Sequence, residues 1–187
     1  MGHSTVLTMD VPQAIAVAAF DINNRGQIVG VYLDVQGLDH GFLWDNGVLT
    51  FIDVPGAHAT RAVGIKNRSQ VVGFYLDNEF LAHGYQWDDG SFTSFDVPES
   101  ATGTAALDIN DVEQIVGFYN KTDERPSFLL NQGRFTTLKG IPGAAFTHAL
   151  GINNRGWIVG EYVDSGKLHG FFATLSKELK NITNAGN

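Results

Sequence analysis

The chain has 187 residues, 43% of them hydrophobic, with 22 Gly, thirteen Phe, five Tyr and three Trp. That aromatic content belongs to a folded chain, and no apolar run approaches the roughly 18 residues that cross a bilayer as a helix. Twenty Asp and Glu against twelve Lys and Arg leave a net charge of −8, which repels phosphate backbones and anionic lipid, so neither nucleic acid nor membrane insertion is expected. The lack of Cys excludes disulfides, thiolate metal sites and cysteine nucleophiles, leaving the redox compartment open.

The opening Met1-Gly2-His3-Ser4 carries neither a basic nor an apolar leader pattern, so no signal peptide is expected in this chain. Thr5 to Gln13 (TVLTMDVPQ) reads as one strand, matching the last strand of a unit whose first three are missing. A phrase then occurs four times: DINNRGQIVGVYLD from Asp21, GIKNRSQVVGFYLD from Gly64, DINDVEQIVGFYN from Asp108 and GINNRGWIVGEYVD from Gly151. From Ile22 to Ile65, Ile109 and Ile152 the steps are 43, 44 and 43 residues.

Each phrase is followed by a second: HGFLWD at His40, HGYQWD at His83, PSFLLN at Pro126 and HGFFAT at His169. The first three units add a further segment, VLTFIDVPGA from Val48, SFTSFDVPES from Ser91 and RFTTLKGIPGA from Arg134. These segments are short, rich in Val, Ile, Phe and Tyr, and bounded by Asn, Gly, Asp or Pro, which is strand chemistry with tight turns. Four strands at this spacing match a β-propeller blade.

The expected fold is therefore all-β: a four-bladed β-propeller of four-stranded antiparallel blades, its ring closed by the N-terminal strand 5–13. The units fall at about 14–57, 58–100, 101–144 and 145–177, within a single domain 1–187 whose tail is 178–187. The third unit departs from the pattern, with Asp111-Val112-Glu113 for Asn-Arg-Gly and Pro126-Ser127 for His-Gly.

The phrases INNRGQIVGVYLD, HGFLWD and FIDVPGA resemble the HAF-type extracellular repeat of bacterial secreted and surface proteins, over nearly the whole chain. The resemblance implies a bacterial, exported all-β repeat protein, extracellular or periplasmic. It implies no catalytic motif.

His40, His83 and His169 occupy equivalent positions in three units. In a propeller these positions lie two strands out from the axis, about 10 Å from the inner strand, whereas imidazoles sharing one zinc must lie close together. A structural role is expected, with each His tied to a neighbouring loop carbonyl. Equivalent residues meet at the innermost strands, read as AAFDIN, RAVGIK, AALDIN and HALGIN. There the chain alternates acid and base: Asp21 and Asp108 in the first and third units, Arg61 and His148 in the second and fourth. These four residues form either a buried structural network or an axial pocket for an anionic or hydroxylated small molecule or glycan. His58 and Phe146 add to the pocket's loop face. A hard cation between Asp21 and Asp108 is a third possibility; otherwise no cofactor is expected.

Glu161 replaces Val31, Phe74 and Phe118 of the other units. Desolvated there, it would suit proton transfer with His148, unless it merely pairs with Arg155. Three functional readings follow. The first is a small-molecule or glycan-binding propeller with an axial site, as monomer or homodimer. The second is a cofactor-independent lyase, isomerase or cyclase using His148 and Glu161 as acid and base, with Arg61 as anion anchor. The third is a structural or adhesive repeat module.

Overall fold

The computed structural model describes residues 6, 8–122 and 124–175. They contain fifteen strands and no helix. The first unit is β1 (Ala16–Ile22), β2 (Ile28–Leu33), β3 (Asp39–Asp45) and β4 (Val48–Ile52). The second is β5 (Ala59–Ile65), β6 (Val71–Leu76), β7 (Ala82–Asp88) and β8 (Ser91–Phe95). The third is β9 (Gly103–Ile109), β10 (Ile115–Asn120), β11 (Ser127–Asn131) and β12 (Arg134–Thr137), and the fourth is β13 (Phe146–Ile152), β14 (Trp157–Asp164) and β15 (Lys167–Thr174).

Within each unit successive strands pair antiparallel in a meander. The recurring Asn explains why the first hairpin turns where it does. The Asn23 side chain accepts the amides of Arg25 and Gln27 while Gly26 takes φ +77°. Ser69 and Glu113 adopt the same left-handed backbone at the equivalent positions, φ 64° and 66°, so the turn survives loss of its Gly.

The recurring Val-Gly of the second strand has a steric cause. A bulge in the first strand, between Ala62 and Gly64 in the second unit, turns the carbonyl of Arg61 against Gly73. A Cβ at Gly73 would overlap that oxygen, and Gly30, Gly117 and Gly160 face the same contact with Ala18, Ala105 and His148.

The first strands stand in a row, β1 beside β5, β5 beside β9 and β9 beside β13. Between neighbouring units the apolar faces close into separate cores. Val29, Leu43 and Ile52 of the first unit pack on Ala62, Ile65, Val71, Tyr85 and Trp87 of the second. Val72 and Val97 meet Ala106, Ile109 and Phe128, and Val116 and Leu129 meet Ala149, Ile152 and Ile158.

Ring closure is the expectation that the structure corrects. Residues 8–13 form no strand, β15 pairs with β14 alone, and β1 makes no extended contact with β13. Among the described residues no strand precedes β1, so β14 is the only partner of β15 there. Residues 5 and 7 of the expected closing strand, residues 1–4 before it and the tail from 176 onward lie outside the described residues.

Candidate functional site

The inner strands are fastened to one another by side chains that reach exactly one repeat ahead. Asp21 accepts the amide of its neighbour Ile22 on one carboxylate oxygen and that of Ile65 on the other, both at 2.8 Å. Asp108 repeats the arrangement with Ile109 at 2.8 Å and Ile152 at 2.6 Å. Asn23 and Asn110 add bonds to the carbonyls of Lys66 and Asn153.

The middle junction is built differently. A Cβ at Gly64 would lie 2.8 Å from the Asp108 Cα, so the second unit has no room for an acid here. The buried Lys66 ammonium instead crosses to Glu113 at 2.8 Å, and Asp111 accepts from the side chains of both Asn67 and Asn154. The Asp/Gly alternation and the unusual third turn thus serve one purpose, joining units pairwise.

A cavity of about 430 Å³ opens beside these latches, lined by Asp21, Arg61 and Asp108 together with Phe20, Phe74 and Leu150. Three of the four expected axial residues therefore share it. Arg61 donates from Nε to Asp39 of the first unit at 2.7 Å, with its guanidinium 5.8 Å from the Phe74 ring centre. Burial pushes the Asp108 carboxyl up to about 6; the Ile152 amide opposes that shift and the nearby Asp21 adds to it.

The fourth axial residue, His148, sits elsewhere. Directly across from Glu161 on the neighbouring strand, its Nδ1 is 3.5 Å from the Glu161 carboxylate. The ring is stacked between Phe146 and Phe118, with centroids at 4.3 and 4.8 Å. Its Nε2 is buried without a hydrogen-bond partner among the described residues. Burial lowers the His148 pKa, and Glu161 only partly restores it. A second cavity of about 410 Å³, lined by Asn120, Arg125 and Phe146, lies nearby at the junction of the third and fourth units. His58 stands apart, packed edge-on against Phe80 at 4.6 Å.

No group of three His, Asp or Glu side chains gathers to hold a metal among the described residues. Asp21 and Asp108 each spend both oxygens on backbone amides.

Two of the recurrent histidines, His40 and His83, are tied to carboxylates rather than to loop carbonyls, while His169 stacks on Tyr162. His40 lies between Asp53 at 3.0 Å and Asp34 at 3.3 Å and stacks on Tyr32. His83 lies between Asp96 at 2.8 Å and Asp77 at 3.2 Å and stacks on Tyr75. Two flanking carboxylates want a donor on each ring nitrogen, which only the imidazolium supplies. Burial alone would lower both pKa values, but these bonds outweigh it and raise them. The signal was in the sequence: Asp, His and Asp recur at the same spacing in both units.

No protein-family model matches the sequence, and no curated protein matches it. Among solved structures the chain resembles TolB from Acinetobacter baumannii, with TM-score 0.66 and 12% identity over 87% of this chain and 42% of that one. It also resembles AofleA from Arthrobotrys oligospora, with TM-score 0.48 and 13% identity over 88% of this chain and 59% of that one. The Aleuria aurantia lectin, solved with Fucα1-6GlcNAc, gives TM-score 0.41 and 12% identity over 89% of this chain and 66% of that one. The likeness to TolB is one of fold: an all-β, propeller-like array of antiparallel sheets. The present chain spans less than half the length of TolB.

Proposed function

We propose that this chain is a ligand-binding repeat domain that takes a small hydroxylated molecule, such as a glycan, in the cavity between its inner strands. The observation that carries the reading is the convergence of Asp21, Arg61 and Asp108 with the rings of Phe20 and Phe74 on one opening. Aromatic faces suit the C–H surface of a sugar, carboxylates accept from hydroxyls, and the guanidinium donors not held by Asp39 suit a hydroxyl or carboxylate oxygen. Because the Asp21 and Asp108 oxygens also hold backbone amides, these carboxylates are rigidly placed beside the opening. An exported setting, as the HAF-type resemblance implies, accords with this reading.

The test is a glycan and metabolite binding screen followed by calorimetry. Binding that Arg61→Ala weakens at least tenfold, in a protein that still melts cooperatively, is the expected result. A ligand whose affinity is indifferent to Arg61→Ala and to Phe74→Ala sinks the reading.

A second reading rests on His148 and Glu161, a cross-strand pair with a buried, unpartnered Nε2. There the imidazole is held neutral at physiological pH and is suited to accept a proton. Arg61 is engaged with Asp39, and Arg125 is the cation whose charge reaches His148. Turnover abolished by His148→Gln, with binding in the axial cavity intact, would support catalysis at this pair.

A further inference from the structure

The three interfaces between units are made from the same two surfaces, and among the described residues each surface is left uncovered once. Ile65, Ile109 and Ile152 are buried against the unit before them, whereas their first-unit equivalent Ile22 is 61% exposed. Val29, Val72 and Val116 are fully buried against the unit after them, whereas their fourth-unit equivalent Val159 is 51% exposed. Phe172 is 60% exposed where Leu43 and Leu129 are buried. Scattered apolar residues on a surface need no explanation, but the Ile22 and Val159 positions build a core three times within the same chain and the Phe172 position twice, Gln86 standing there in the second unit. The two faces are complementary by construction, because their equivalents already pack together in each internal junction.

We propose that the exposed face around Ile22 and the exposed face around Val159 and Phe172 pair with each other between two copies of this chain, head to tail. The interface continues the internal repeat packing across the chain boundary, with Ile22 of one copy taking the place of Ile65 and Val159 of the other that of Val29. Different surfaces meet in such a contact, so it either closes into a ring or extends. The acid latch has a counterpart in the same register. Asp21 and Asp108 clamp the first and third junctions, while Gly151 leaves the end of the fourth unit open as Gly64 leaves the second. The new junction is therefore of the middle, Gly64-like type.

Sedimentation equilibrium on the wild-type chain, Ile22→Asp, Phe172→Asp and an equimolar mixture of the two variants tests this. Wild type is expected to run as a dimer or larger assembly and each variant alone as a monomer. The mixture is expected to recover a one-to-one dimer, because one variant keeps the Val159 face and the other the Ile22 face. A wild-type monomer at its highest soluble concentration overturns the proposal, as does a mixture that stays monomeric. Should either variant fail to fold, Ile22→Cys and Val159→Cys chains, free of other thiols, are mixed with a short bis-maleimide. Hetero-crosslinking supports the contact, and its absence overturns it.

Discussion

Asp108 takes the backbone amide of Ile152, 44 residues further along the chain, at 2.6 Å. The same carboxylate borders the axial cavity, so one side chain both joins two units and shapes the candidate site. Replacing it with Ala leaves two buried amides without acceptors, which costs about 1–3 kcal/mol. Asp108→Ala is expected to lower the melting temperature, and Asp21→Ala to do so at the first junction, with a double variant that departs from the sum because the two carboxyls repel each other across one cavity. Chemical denaturation of the two single variants and the double variant checks this.

The Asp108 carboxyl also sets a pH dependence. An unfolded Asp titrates near 3.9, while burial holds this one up to about 6. Between those values the folded chain binds the extra proton, so stability falls as pH rises from about 4 to about 6. Denaturation curves across that window should show a slope that Asp108→Asn removes.

The histidines are expected to separate in an NMR titration. His40 and His83, clamped by carboxylates, titrate above the ordinary value near 6.5, so their contribution to stability is complete below it and is lost as pH rises through the folded values. His148, held neutral by burial, titrates below 6.5, and its contribution is lost as pH falls through that lowered value. His40→Gln and His83→Gln should flatten the alkaline side of the stability profile, and His148→Gln the acid side.

Gly73 is expected to tolerate no side chain. Its missing Cβ is the space that the Arg61 carbonyl fills, and overpacking of this kind costs about 1–3 kcal/mol or more. Gly73→Ala should cut soluble yield and melting temperature, whereas Gly47→Ala, with nothing near its Cβ, tests only the strain of its φ of +91°. The difference between the two melts isolates the clash.

The repeat made the strands and their order readable, because Val-Gly keeps one spacing through four units and the turn-forming Asn recurs in three of them. Local chemistry at each position was enough for that. Relations between units were harder to see. Asp21 and Asp108 looked like half of an acid–base set with Arg61 and His148, yet each is held by a backbone amide one repeat away, which no side-chain pattern displays. Arg61 turns to Asp39, and His148 leaves the axis for Glu161 because the cross-strand register places them opposite. Ring closure failed as an expectation because it depends on the angle between units, a property of packing rather than of any one strand.

The central claim is that Asp21, Arg61 and Asp108 frame a binding site. A crystal structure of the protein with the tightest ligand from the binding screen tests it most directly. The account predicts ligand density in the axial cavity, within hydrogen-bond reach of Arg61 and at least one of the two carboxylates. Density at the His148–Glu161 junction or on an outer face, with the axial cavity free of ligand, would contradict it.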